Sequence, residues 1–104
     1  MLCVTTSEIA HRTITETLGT VSGNVVQSKH VGRDIMAGFK TIFGGEIRGY
    51  TEMLVEAREK AMSRAIAEAE AMGADAIVNV RFTTSAIMQG ASEILVYGTA
   101  VKLR

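Results

Sequence analysis

Three side chains in this chain could serve as soft metal ligands: Cys3, His11 and His30. Their spacing is wide. The chain contains no Cys-x-x-Cys and no His-x-x-x-His, so no single turn or helix face presents two such ligands together. A lone cysteine in a leading strand reads first as a small apolar residue. Copies of one His or Cys arranged around a symmetry axis could still build a site that no single chain shows. A nucleophilic triad would need Ser or Cys, His and a carboxylate brought together, and no nucleophile-elbow sequence sets one up. The glycines at Gly38, Gly44, Gly45 and Gly49 fit neither a phosphate loop nor a dinucleotide fingerprint; helix-ending turns explain them better. The residues point away from an enzyme.

The densest polar chemistry lies in Gly44-Gly45-Glu46-Ile47-Arg48-Gly49-Tyr50, with Arg33 and Asp34 a short way upstream. Such a turn caps and packs helices. It also offers charge, hydrogen bonds and one ring to a small polar ligand or to a subunit seam. Arg58 is a further candidate. Wound at 100° per residue, a helix over Tyr50–Met72 gathers Glu52, Glu56, Glu59, Lys60, Ser63 and Glu70 on a polar sector. Leu54, Ala61, Met62, Ala65, Ala69 and Met72 form the apolar sector, and Arg58 falls inside it. Either its stem packs while its head reaches water, or it makes a buried ion pair or subunit contact, with Asp75 or Glu93 as partner.

Composition limits the classes of function. A chain of 104 residues is one domain, residues 1–104, able to bury about 65% of its unfolded surface. Lys and Arg number 11 against 11 Asp and Glu, so the basic excess of a nucleic-acid binder is absent. Two Tyr, three Phe and no Trp make a poor stacking platform for single strands. Zero net charge also weakens repulsion between copies, so an apolar surface patch would tend to associate. One cysteine excludes an internal disulfide. No run of eighteen apolar residues marks a membrane span, and the first residues lack the basic and apolar regions of a secretory signal, so the cytoplasm is the expected compartment.

The elements that must position these residues follow from periodicity. Leu2–Thr5 reads as a short strand. Thr13–Ser28 reads as a long one, with Thr13, Thr15 and Thr17 on one side, Ile14, Glu16 and Leu18 on the other, and a bend or bulge at Gly19 and Gly23. Arg33–Phe43 reads as a short amphipathic helix ended by Gly44-Gly45. Tyr50–Met72, rich in alanine and free of glycine, reads as a helix of roughly 35 Å, with Thr51 as its N-cap and Gly73 just beyond its end. Ala76–Met88 and Ser92–Leu103 read as a hairpin about Gln89-Gly90-Ala91, with Ala76, Val78, Val80 and Phe82 sharing one face. In the second strand Leu95, Tyr97, Thr99, Val101 and Leu103 share a face, while Ile77, Ile94 and Val96 fall on the side away from the Val78/Val80 stripe or close to it. The order β-β-α-α-β-β predicts an α+β fold: a mainly antiparallel sheet with one long and one short helix, the long one laid across a face. The other face is apolar enough to need cover, most easily from another copy.

Several of these residues together resemble a known family. Gly32-Arg33-Asp34, Gly44-Gly45-Glu46, Tyr50, Glu56-Ala57-Arg58, Gly73-Ala74-Asp75-Ala76-Ile77-Val78 and Val80-Arg81-Phe82 are similar to the YbjQ family, also called UPF0145. The likeness spans the chain, from Thr5-Thr6 to Tyr97-Gly98-Thr99-Ala100-Val101. It implies a dodecin-like, YbjQ-like subunit that forms a ring, a homopentamer, and it implies no established activity. The family's heavy-metal-binding label makes a divalent or soft metal ion the implied cofactor. Cys3, His11 and His30 lie outside the matching motifs, whereas Arg33, Asp34, Glu46, Tyr50, Arg58 and Asp75 lie on them. The expectation is therefore a small cytoplasmic homo-oligomer whose partner is itself, without nucleic acid or membrane. The alternative is a small-molecule-binding ring holding its ligand at the subunit seam through Arg33, Glu46, Arg48 or Tyr50.

Overall fold

A computed structural model describes residues 1–28 and 48–104. Among these, four strands and one helix follow in the order β1 (Leu2–Cys3), β2 (Ile14–Ser28), α1 (Arg48–Ala71), β3 (Ala76–Met88) and β4 (Ala91–Leu103). The sheet order is β1-β3-β4-β2, with β1 parallel to β3 and the other pairs antiparallel. The expected α+β fold with a mainly antiparallel sheet is therefore present, the two-residue β1 adding one parallel pair. The expected short helix over Arg33–Phe43 lies outside the described residues, as does Gly44-Gly45.

The long helix forms where alanine and the absence of glycine favour it. Its end is closed by backbone geometry. Gly73 turns left-handed at φ 79°, its N–H donates to Glu70 O at 3.0 Å, and Ala74 N–H donates to Ala69 O at 3.0 Å. This paired motif satisfies carbonyls that a helix terminus would leave orphaned. Asp75 then leads into β3. Its N–H donates to Val101 O at 2.9 Å, and its Oδ2 accepts from Leu103 N–H at 2.8 Å.

The buried stripe of α1 is Ala57, Ala61, Ala65 and Ala69, one residue per turn. Leu54 and Met72, expected on the apolar side, are 37% and 40% exposed. Small side chains win the contact because the helix backbone comes down directly onto β2. A Cβ built on Gly23 would overlap Ala61 O and lie 2.6 Å from Ala65 N. Val21 and Val25 flank Gly23 on the same face, and Ile77, Val80, Ile94, Val96 and Ala100 complete the core under the helix.

Local irregularities reset the side-chain alternation that the strands would otherwise keep. Asn79 adopts φ 54°, and the β3–β4 register shifts between Val78 and Arg81. Ala76 and Val78 therefore face away from the helix while Val80 faces it with Ile77, which corrects the single Ala76/Val78/Val80/Phe82 stripe. In β2 the register shifts at Ile14/Glu16 and again at Thr17/Gly19. Ile14 consequently packs on the far face and Leu18 on the helix face, although simple alternation puts them together. In β4 the expected division holds: Val101 and Leu103 pack on the far face, Ile94 and Val96 on the helix face.

Part of the far face needs no second copy. The segment after β1 folds back over it, so that Val4, Ile9, Ile14 and Leu103 pack against Ala76, Val78 and Val101. Backbone bonds hold this segment in place: Val4 N–H to Ile77 O at 2.9 Å, Val80 N–H to Val4 O at 3.0 Å and Asn79 N–H to Thr6 O at 3.0 Å. Arg81 adds a bond from Nη1 to Thr5 O at 2.8 Å. Farther along that face Tyr97 remains 42% exposed, and on the helix side Phe82, paired with Val96, remains 46% exposed. Among the described residues no helix is long and apolar enough to cross a membrane.

Candidate functional site

The first turns of α1 and the tip of the β3–β4 hairpin enclose an open cavity of about 420 Å³. Sequence chemistry explains its walls. Tyr50, Met53 and Leu54 project from the start of the helix, Met88 and Gly90 come from the hairpin tip, and Gln27 comes from β2. Gly90, at φ 83°, makes the tight reversal that brings β4 back beside β3. The lining is a thioether-rich, largely apolar wall with one phenol, the amides of Gln27 and Gln89 and the Ser92 hydroxyl, the composition of a site that selects by shape and orients by a few hydrogen bonds. Gln27 and Met53 also border a smaller space of about 240 Å³ beside Glu52, Glu56 and Lys60.

Among the described residues, Tyr50 is the one candidate for ligand binding that lines the larger cavity. Arg33, Asp34, Glu46 and His30 lie outside the described residues. Arg48 opens α1. Arg58 is exposed rather than set in an apolar sector, because the helix rests on its alanine stripe and not on the Leu54/Met72 side. The partners proposed for it are engaged elsewhere: Asp75 accepts from Leu103 N–H, and Glu93 Oε2 accepts from Asn24 Nδ2 at 2.9 Å. Asp75 thus holds a strand end in place.

Of the metal candidates, Cys3 and His11 are among the described residues and belong to no cluster of three ligands there. Cys3 sits half-buried in β1, and His11 is exposed in the loop that follows, at φ 63°. Burial raises the Cys3 thiol above its ordinary range, and the nearby N-terminal charge only partly offsets it. That makes Cys3 a poor thiolate donor. Among the described residues no group of three or more His, Cys, Asp or Glu is placed to hold a metal ion.

Two polar arrangements were not foreseen from the sequence. Arg81 staples the N-terminal segment to β3, and Arg64 and Glu68 bond across to β2. The i,i+4 spacing of Arg64 and Glu68 was the available signal, but only the position of α1 over the sheet edge gives it meaning.

The whole chain, residues 1–104, matches the family described as "putative heavy-metal-binding". A UPF0145 protein of Photobacterium profundum is 84% identical over 99% of this chain and 100% of its own length. UPF0145 proteins of Psychromonas ingrahamii and Thermosipho africanus are 64% and 60% identical over 100% of this chain, and over 99% and 96% of their own lengths. Among solved structures, a protein of unknown function of the DUF74 family from Pediococcus pentosaceus superposes with a TM-score of 0.69 at 16% identity, covering 100% of this chain and 98% of that one. At that identity the likeness concerns the fold alone.

Proposed function

The chain belongs to the YbjQ family of UPF0145 proteins, and on that premise we propose that it acts as a self-assembling, non-enzymatic binding subunit of the cytoplasm, its ring a homopentamer. One observation carries the assembly reading. The outer half of β3 is exposed from Arg81 to Met88, and Phe82, Ile87 and Met88 are 46%, 53% and 67% exposed. From Phe82 to Ser92 the hairpin carries no charged residue. Isolated edges normally carry charge or proline to discourage pairing, and apolar patches on soluble chains mark contact surfaces.

The family's metal label fits a single copy poorly, since Cys3 and His11 do not meet a third ligand among the described residues. In this reading a heavy-metal site belongs to the ring, with ligands drawn from several copies. Native mass spectrometry of untagged protein, purified without chelator, tests both parts. A mass five times that of the subunit supports the ring, and added metal mass on that species supports the shared site. A monomer at micromolar concentration defeats the assembly reading.

The second reading is a ring that binds a small molecule. It rests on the cavity beside Tyr50, which opens next to the apolar hairpin and so lies at the proposed seam. Its ligand would be a compact, largely apolar molecule with one or two polar groups. Added organic mass that Tyr50→Ala removes supports it; retention of the same mass counts against it.

A further inference from the structure

The structure assigns Arg64 and Glu68 a role that goes beyond the proposed assembly: together they replace a missing neighbour strand along β2 and close that edge to strand addition by a second copy. Among the described residues β2 is the last strand of the sheet, bonded to β4 on one side only. In an antiparallel strand the N–H and C=O of one residue point the same way, and residues two apart share that direction. Ser22 and Asn24 are such a pair. Their outward groups are both occupied by side chains: Ser22 N–H donates to Glu68 Oε1 at 3.3 Å, and Asn24 C=O accepts from Arg64 Nη1 at 2.6 Å.

An incoming strand would offer an acceptor to the N–H and a donor to the C=O. The carboxylate and the guanidinium offer the same two functions. Their spacing of four residues places them one turn apart on the same side of α1. Gly23, between Ser22 and Asn24, lets the helix descend far enough for both side chains to reach round the edge. The network extends across the sheet through Asn24 Nδ2, which donates to Glu93 Oε2 at 2.9 Å.

The strand needs this protection because it has little of its own. Along the 15 residues of β2, Glu16 is the only charge, and Thr15, Thr17, Thr20, Val21, Val25 and Val26 favour strand pairing. A long edge of that composition recruits other strands unless something covers it. The helix supplies the charges that the strand lacks.

The test compares the full-length Arg64→Ala/Glu68→Ala double variant with the wild type, reading mass by light scattering over a concentration series and Ser22 amide exchange by NMR at low concentration. The expected result is association beyond the wild-type mass that grows with concentration, together with Ser22 exchange at least tenfold faster in dilute solution. Circular dichroism establishes that the variant is folded. Glu68→Gln, which keeps the acceptor, is expected to retain both the wild-type mass and the slow exchange. A folded double variant with wild-type mass and unchanged Ser22 exchange overturns the inference, as does a Glu68→Gln variant that associates like the double one. Because the wild type's own mass is the reference, a wild-type monomer would defeat the ring and leave this comparison intact.

Discussion

The carbonyl oxygen of Ala61 occupies the place where a side chain on Gly23 would begin. Helix and edge strand therefore touch backbone to backbone, and the alanine stripe of α1 is a consequence of that approach. Gly23→Ala must push the helix outward along its whole contact with β2. The expected cost is about 2–3 kcal/mol, as for other overpacked cores. A urea or thermal melt checks it: a variant within about 0.5 kcal/mol of the wild type, the range of ordinary surface changes, would show that the contact is softer than drawn.

Asn79 provides a second test of local geometry. Its φ of 54° lies in the left-handed region, where asparagine and glycine are tolerated and β-branched residues are not. Asn79→Val is expected to be less stable than Asn79→Gly by about 1–2 kcal/mol. Equal melting of the two variants would mean that the bulge relaxes when its residue is changed.

The staple from Arg81 to Thr5 holds down the segment that covers the far face. Arg81→Met keeps most of the stem and removes the donor, and a loss of about 1 kcal/mol is expected, because the bond is exposed to water. Hydrogen exchange locates the effect. The amides of Val4 and Asn79, whose bonds join that segment to β3, should exchange faster, while those of β4 should not. Uniform acceleration would instead mean global destabilisation.

Cys3 yields a chemical prediction. Burial holds its thiol in the protonated form, so the folded protein keeps that proton more tightly than the unfolded chain does. As pH rises past the unfolded thiol's value, only the unfolded state ionises, and the contribution to folding falls. Iodoacetamide should therefore modify native Cys3 more slowly than Cys3 in denatured protein, and the native rate should rise at a higher pH. Equal rates in both states would place the thiol in open water.

The exposed hairpin is the test of assembly. Ile87→Glu/Met88→Glu puts two charges on side chains that stand clear of the core. The double variant is expected to melt within about 1 kcal/mol of the wild-type subunit while shifting to a smaller mass, since surface changes cost little in a folded monomer. Unchanged mass would move the seam elsewhere.

The sequence by itself determined the long helix, its glycine-terminated end, the closing hairpin and the family, because each is written in local propensity, periodicity and motif. It did not determine the faces. Asn79 and the register shifts in β2 each move a residue to the opposite side of the sheet, and a strict period of two has no means of announcing them. Nor did it decide the fate of Arg58, because which stripe of a helix is buried depends on how close its neighbour lets it come. Gly23 admits the backbone of α1, so alanines are buried while Leu54 and Arg58 face outward. Side-chain roles such as that of Arg64 and Glu68 are set last, since a hydrogen bond to a strand edge exists only once the tertiary structure has brought the helix over that edge.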